Sequence, residues 1–85
     1  MKEAMHSTQK YAICVNNWDY PASLELHKLY RIVPDEDARL EGDLRIVDES
    51  GEDYLYPADY FLVVEFPQVI LQALQGSFEG ALQAA

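Results

Sequence analysis

Residues 48–61 read DESGEDYLYPADYF, with carboxylates at Asp48, Glu49, Glu52, Asp53 and Asp59, tyrosines at Tyr54, Tyr56 and Tyr60, and Gly51 and Pro57 between them. Glycine tolerates the left-handed backbone that closes a hairpin, and proline ends a strand because it has no N–H to donate. LRIVDE before the glycine and DYLYP after it alternate apolar and polar residues. The stretch is therefore predicted to be the tip of a β-hairpin. A two-residue Ser50-Gly51 loop would set Ile46 opposite Leu55; a three-residue loop with Gly51 left-handed sets Ile46 opposite Tyr54 and Leu44 opposite Tyr56. A slip of one residue would move every side chain to the other face. Glu-Ser-Gly suits a type I turn with a glycine bulge better than Ser-Gly suits a primed turn. The three-residue loop is thus expected, with Tyr54 and Tyr56 at least partly inward.

Working outward, PADY makes a tight turn after Pro57, and FLVVEF is the most apolar strand of the chain, ending before Pro67. Upstream, YAICV from Tyr11 is a short β-rich run stopped by NNWDYPAS, whose asparagines and Pro21 mark a loop. LELHKLYRIV holds a turn near His27 and Lys28 and then a second strand ending at Pro34. PDEDARLEGD is a connection of one or two helical turns: Pro34 opens it, Asp35 and Glu36 suit its N-terminal dipole, and Gly42 suits its exit. Five short strands joined by turns describe a small closed barrel, which would remove exposed strand edges. The tail changes period: Ile70, Leu74, Phe78 and Leu82, flanked by Val69, Ala73 and Ala81, form one amphipathic helical face. Gly76 and Gly80 each cost about 1 kcal/mol against alanine there. Such a helix needs something to pack on, either the barrel or a partner through residues 69–82. The expected organisation is a flexible N-terminal arm at 1–10, a barrel at 11–66, and a helix or tail at 67–85.

Eighty-five residues, 49% of them apolar, suffice for one small core. With six tyrosines, one tryptophan and three phenylalanines, much buried area must come from aromatics whose polar groups need partners or a wet edge. Some tyrosines should therefore be half exposed. The net charge of −9 is concentrated: residues 35–65 carry eleven acids against two bases. That field repels phosphate backbones, so nucleic-acid binding is not expected. A lone Cys14 allows no intrachain disulfide and suits a reducing cytoplasm. FLVV is too short to span a bilayer, so no membrane role is expected.

The order of elements resembles the SH3 barrel, and the closest residue match is YPADYF, similar to that family's proline, asparagine or aspartate, tyrosine and hydrophobic pattern through Pro57, Asp59, Tyr60 and Phe61. LEL at 24–26 resembles its diverging turn. The likeness covers residues 11–66 and implies a mainly β fold: a small five-stranded SH3-like barrel with a short helical turn between strands 2 and 3 and a C-terminal amphipathic helix. The chain also resembles small bacterial proteins carrying a DESGEDYLYP-type hairpin. In the proline-binding SH3 domains the groove is walled by tyrosines from an alanine-leucine-tyrosine-aspartate-tyrosine segment and by a tryptophan at the third strand. Here those positions read AICVN and EGDLRI, leaving Pro57 and Tyr60 as the groove positions that carry over. Trp18 and Tyr20 could rebuild part of the wall.

The chemistry-bearing residues point away from catalysis. Asp48 and Asp53 sit near a hairpin tip, where solvent would keep both ionised, whereas paired catalytic acids need contrasting environments. His6 and His27 have no second ligand at metal spacing, Cys14 reads as a small core residue, and Ser7, Ser23, Ser50 and Ser77 have no His/Asp company. Arg45 with Tyr56, or Arg31 with the neighbours of Tyr30, could form cation-aromatic contacts. No cofactor is implied. The leading expectation is a non-enzymatic cytoplasmic interaction or regulatory module that docks a basic or proline-containing segment on Trp18, Tyr20, Tyr54, Pro57 and Tyr60, within an acidic rim. The competing expectation is a calcium-responsive protein using Asp35, Asp37, Asp43, Asp48 and Asp53, although DEDARLEGD does not fit the EF-hand spacing.

Overall fold

The computed structural model describes residues 9–84, with side chains to residue 77. His6, Ser7 and most of the expected N-terminal arm lie outside the described residues, as do the side chains of Phe78, Ala81 and Leu82. The fold is mainly β, with a five-stranded antiparallel sheet and two helices. The elements run β1 (Lys10–Cys14), β2 (Leu29–Val33), α1 (Glu36–Leu40), β3 (Asp43–Val47), β4 (Asp53–Pro57), a 3-10 turn (Ala58–Tyr60), β5 (Phe61–Val64) and α2 (Gln68–Ala84).

The hairpin has the expected register: Leu44 faces Tyr56, and Ile46 faces Tyr54. Asp48 N–H donates to the Glu52 carbonyl at 3.1 Å and Gly51 N–H to the Asp48 carbonyl at 3.0 Å, enclosing the three-residue loop Glu49-Ser50-Gly51. Gly51 takes φ +86°, a conformation that costs a residue with a Cβ about 1–2 kcal/mol. Before β3, Asp35 caps α1 by accepting the Ala38 N–H at 3.0 Å, and its other oxygen meets Arg45 Nε at 2.8 Å. Arg45 therefore pairs with a carboxylate on α1 rather than with Tyr56. The cation over Tyr30 is Lys28, 5.7 Å from the ring centre.

The strand order is β4-β3-β2-β1-β5, so consecutive strands β4 and β5 lie at opposite edges. In a flat sheet those edges would be about 19 Å apart, four steps of about 4.8 Å. Three residues, Ala58 to Tyr60, join them, and such a link spans at most about 14 Å. The sheet must curl. Tyr56 of β4 and Phe61 of β5 accordingly bring their ring centres to 6.3 Å. Inside the curl, Ala12, Cys14, Leu24, Tyr30, Ile32, Ile46, Tyr56, Tyr60 and Phe61 form one core.

Closure, however, stops at side chains. Among the described residues no ladder joins β4 to β5, which corrects the expectation of a closed barrel. Pro57 at the end of β4 has no N–H to offer one. Val63, which pairs with buried Ala12 on the core side, is left 53% exposed. A cavity of about 550 Å³ opens there, lined in part by Ile32, Val33, Pro34, Leu44 and Val63.

A second buried group lies outside this core. Tyr11 packs edge-on against Phe66 with ring centres 6.0 Å apart, and Leu71 of α2 is buried. The buried side chain in the first turns of α2 is thus Leu71, with Leu74 half-buried, whereas Val69, Ile70 and Ala73 are exposed. Of the expected face, Leu74 is half-buried and Ile70 is exposed, and Leu71, one residue on, is the buried side chain. No described helix is long and apolar enough to cross a membrane.

Candidate functional site

The loop between β1 and β2 is held by its own asparagines. Asn16 Oδ1 accepts from the Trp18 N–H at 2.8 Å, and Asn17 Nδ2 donates to the Leu24 carbonyl at 2.9 Å. Fully buried Leu24 anchors the far end of the loop, while Val15 N–H donates to the Tyr60 carbonyl at 2.8 Å at its start. Glu49 N–H, at the hairpin tip, donates to the Ser23 carbonyl at 3.0 Å. Loop and hairpin are thereby fixed side by side. Between them lies a cavity of about 410 Å³ lined by Tyr20, Ser23, Asp48, Ser50, Tyr54, Leu55 and Tyr56.

Tyr20 stands edge-to-face on Tyr56, with centres 5.0 Å apart and planes at 86°, and meets Tyr60 at 6.2 Å and 61°. Such angles match the quadrupoles of the rings. Of the five expected docking residues, Tyr20 and Tyr54 share the cavity, at 40% and 49% exposure. The open edge at β4 explains why Tyr54 is half in solvent while Tyr56, on the same face, is buried. Tyr60 is also buried, behind Tyr20, so its hydroxyl rather than its face reaches the loop. Pro57 is half-buried at the end of β4 and does not line the cavity. Trp18, in the same loop as Tyr20, is 83% exposed.

Asp48 corrects a sequence expectation. Instead of lying in solvent it is 6% exposed, with Oδ1 accepting from Ser50 N–H at 2.8 Å and Ser50 Oγ at 2.6 Å, and Oδ2 accepting from the Tyr56 hydroxyl at 2.5 Å. An aspartate at the first position of a type I turn was the available signal. Its burial could not be seen locally, because it depends on the loop that covers it.

The pairing recurs. Tyr30 donates to Glu49 at 2.5 Å, Tyr54 to Glu52 at 3.0 Å and Tyr60 to Asp19 at 2.8 Å. Glu49 also accepts from Lys28 Nζ at 2.7 Å. Much of the acidic rim is therefore a set of acceptors for phenols. Charge-assisted bonds of this kind are about twice as strong as neutral ones.

These bonds move the titrations in opposite directions. Burial acts to raise the Asp48 carboxyl, but donors from Ser50 and Tyr56 outweigh it, and its pKa falls below the ordinary carboxylate value. Lys28 and then Tyr30 lower Glu49 likewise. Burial, then the Asp48 acceptor, pushes the Tyr56 phenol up to about 12. Tyr30 rises through burial and Glu49, Tyr54 through Glu52, and Tyr60 through Asp19. A depressed carboxylate contributes stability above its unfolded pKa and loses it as pH falls through the folded value. A raised phenol contributes below about 10, its unfolded value, and loses that contribution as pH rises toward about 12 for Tyr56. Urea midpoints measured against pH should hold level between about pH 5 and pH 9 and fall on both sides. A midpoint unchanged above pH 10 would refute the alkaline limb.

As to metals, the described residues gather no group of three or more His, Cys, Asp or Glu side chains able to hold an ion. Asp35, one of the five aspartates considered for calcium, is committed to the α1 cap and Arg45. Around Asp48 the cavity gathers Tyr20, Tyr54 and Tyr56, with the Tyr20 and Tyr56 ring planes at 86° to each other. No protein-family model, curated protein or solved structure matches this chain.

Proposed function

We propose that the chain is a small SH3-like barrel protein of the cytoplasm that acts without catalysis, as an interaction or regulatory module docking a basic or proline-containing segment. The strand order, the 3-10 turn before β5 and the Pro57-Asp59-Tyr60 corner support the SH3-like reading. The observation that carries the docking reading is the convergence of Tyr20, Tyr54 and Tyr56 on one cavity, with Trp18 exposed in the adjoining loop. Interface centres favour tyrosine and tryptophan because they present large, rigid area at small entropic cost. A net charge of −9 speeds encounter with cationic segments. Proline-rich segments lose little entropy on docking because they are already extended. The test is a heteronuclear NMR titration with a lysine- and proline-containing peptide. Shifts centred on Trp18, Tyr20 and Tyr54 are expected, and their absence at millimolar peptide would dismiss the reading.

A homo-oligomer through residues 69–82 is a second partner reading, favoured by the exposure of Val69 and Ile70 on α2. Residues 66–85 carry one charged side chain, Glu79, so this is the segment on which two acidic copies could meet with least repulsion. Sedimentation velocity should then give a concentration-dependent dimer that Val69→Lys and Ile70→Lys together convert to monomer. A wild-type chain that stays monomeric at high micromolar concentration would exclude it.

A further inference from the structure

We propose that the cavity between the β1–β2 loop and the β3–β4 hairpin binds a quaternary ammonium head group. The inference deepens the docking reading, resting on it for the view that this face meets cationic partners. It adds the chemistry of the cation.

A quaternary ammonium spreads its charge over alkyl groups and has no N–H to donate. Such an ion is held by aromatic faces and a nearby full negative charge. Tyr20 and Tyr54, 40% and 49% exposed, supply the accessible rings, and buried Tyr56 lines the cavity behind them in edge-to-face contact with Tyr20. Leu55 adds apolar surface for alkyl groups. Asp48 supplies the charge from a buried position where water screens it poorly. Among the described residues no lysine or arginine lines the cavity to compete. Its volume of about 410 Å³ is within the range of small-ligand sites, about 300–1,000 Å³.

The hydrogen-bond inventory separates this ion from an ordinary lysine. A primary ammonium brings three donors and a tightly held water shell, and it must find acceptors to replace that shell. Both Asp48 oxygens are already accepting, Oδ1 from Ser50 twice and Oδ2 from Tyr56. The Tyr54 hydroxyl gives its one proton to Glu52. The recess therefore keeps its negative charge while three of the roughly four acceptor sites of the carboxylate are taken, a condition that favours a cation needing no acceptors.

The experiment is an NMR titration of the full chain with choline and with 3,3-dimethylbutan-1-ol, its neutral isostere. A lysine- and proline-containing peptide, with and without trimethylation of one lysine, is titrated alongside. Choline is expected to shift the Tyr20, Tyr54 and Tyr56 ring signals saturably at millimolar concentration, at least about fivefold tighter than the neutral isostere. Tyr54→Leu keeps apolar bulk on an exposed strand and should weaken choline by about fivefold. Asp48→Asn should do the same, with a dispersed spectrum confirming that each variant is folded. Trimethylation that tightens the peptide would identify a modified side chain as the source. Equal peptide affinities beside choline binding would identify a free head group. Equal binding of choline and its isostere, or no choline response, overturns the inference. If the unmodified peptide still binds in that case, the docking reading survives alone; if choline binds and neither peptide does, the docking reading fails instead.

Discussion

Asp48→Ala is expected to lower the unfolding free energy by about 2–4 kcal/mol, and with it Tm by roughly 10–25 °C for a domain of this size. The carboxylate accepts three hydrogen bonds, two within its own turn and one from Tyr56 across the hairpin. Alanine removes all three and leaves the Tyr56 hydroxyl without its carboxylate in the core. The loss is partly offset because a buried charge no longer has to be solvated by the protein. Asp48→Asn keeps an oxygen for the turn and a polar group for Tyr56, so it should cost about 1 kcal/mol, near the value of one hydrogen bond. Tyr56→Phe should fall between the two, because the carboxylate it abandons keeps its Ser50 donors. Chemical denaturation of the three variants checks the order. An Asp48→Ala protein as stable as the parent would show that the buried carboxylate is held at no net benefit.

The second large effect concerns docking. Trp18→Ala is expected to weaken a basic, proline-containing peptide by about 10- to 30-fold, the 1.4–2 kcal/mol typical of an interface hot spot. At 83% exposure the indole has little to lose in the free protein. Its removal should leave the denaturation midpoint unchanged, which makes it the cleaner probe. Tyr20→Ala should weaken the peptide comparably but also destabilise the fold, because its ring packs edge-on against Tyr56 and Tyr60. Calorimetric titration at two salt concentrations separates the contributions. The ring-dependent part should persist at high salt, while attraction from the acidic surface should fade as the Debye length shrinks. Parental affinity in the Trp18→Ala protein would remove the tryptophan from the docking surface.

What could be read along the chain was local or periodic. The hairpin register followed from Gly51 and the alternation around it, because a positive φ at one position selects the turn and the turn selects every facing pair. Pro34, Asp35, Glu36 and Gly42 bracketed α1 for the same kind of reason, a first turn that suits proline and acids and a left-handed exit. Tyr20 and Tyr54 could be singled out as ring surface because aromatics in excess of a small core must emerge somewhere.

Tertiary structure alone decided how far those rings emerge and what the acids do. The alternation around Gly51 placed Tyr54 and Tyr56 on one face, and the open edge of the sheet left one in solvent and one buried. Acidic residues spaced along a loop look like a solvated rim in one dimension. Asp48 and Glu52 meet Tyr56 and Tyr54 within the hairpin, but Asp19 and Glu49 became partners of Tyr60 and Tyr30 only when the β1–β2 loop met the 3-10 turn and the hairpin tip met β2. That Leu71 rather than Ile70 is the buried side chain in the first turns of α2 was likewise hidden, since a helical period gives spacing but not the rotation that docking imposes. Turn chemistry and side-chain period act over a few residues and so are written in the sequence. Burial, the curl of the sheet and the match of donor to acceptor depend on segments up to 41 residues apart, whose meeting is a property of the folded chain.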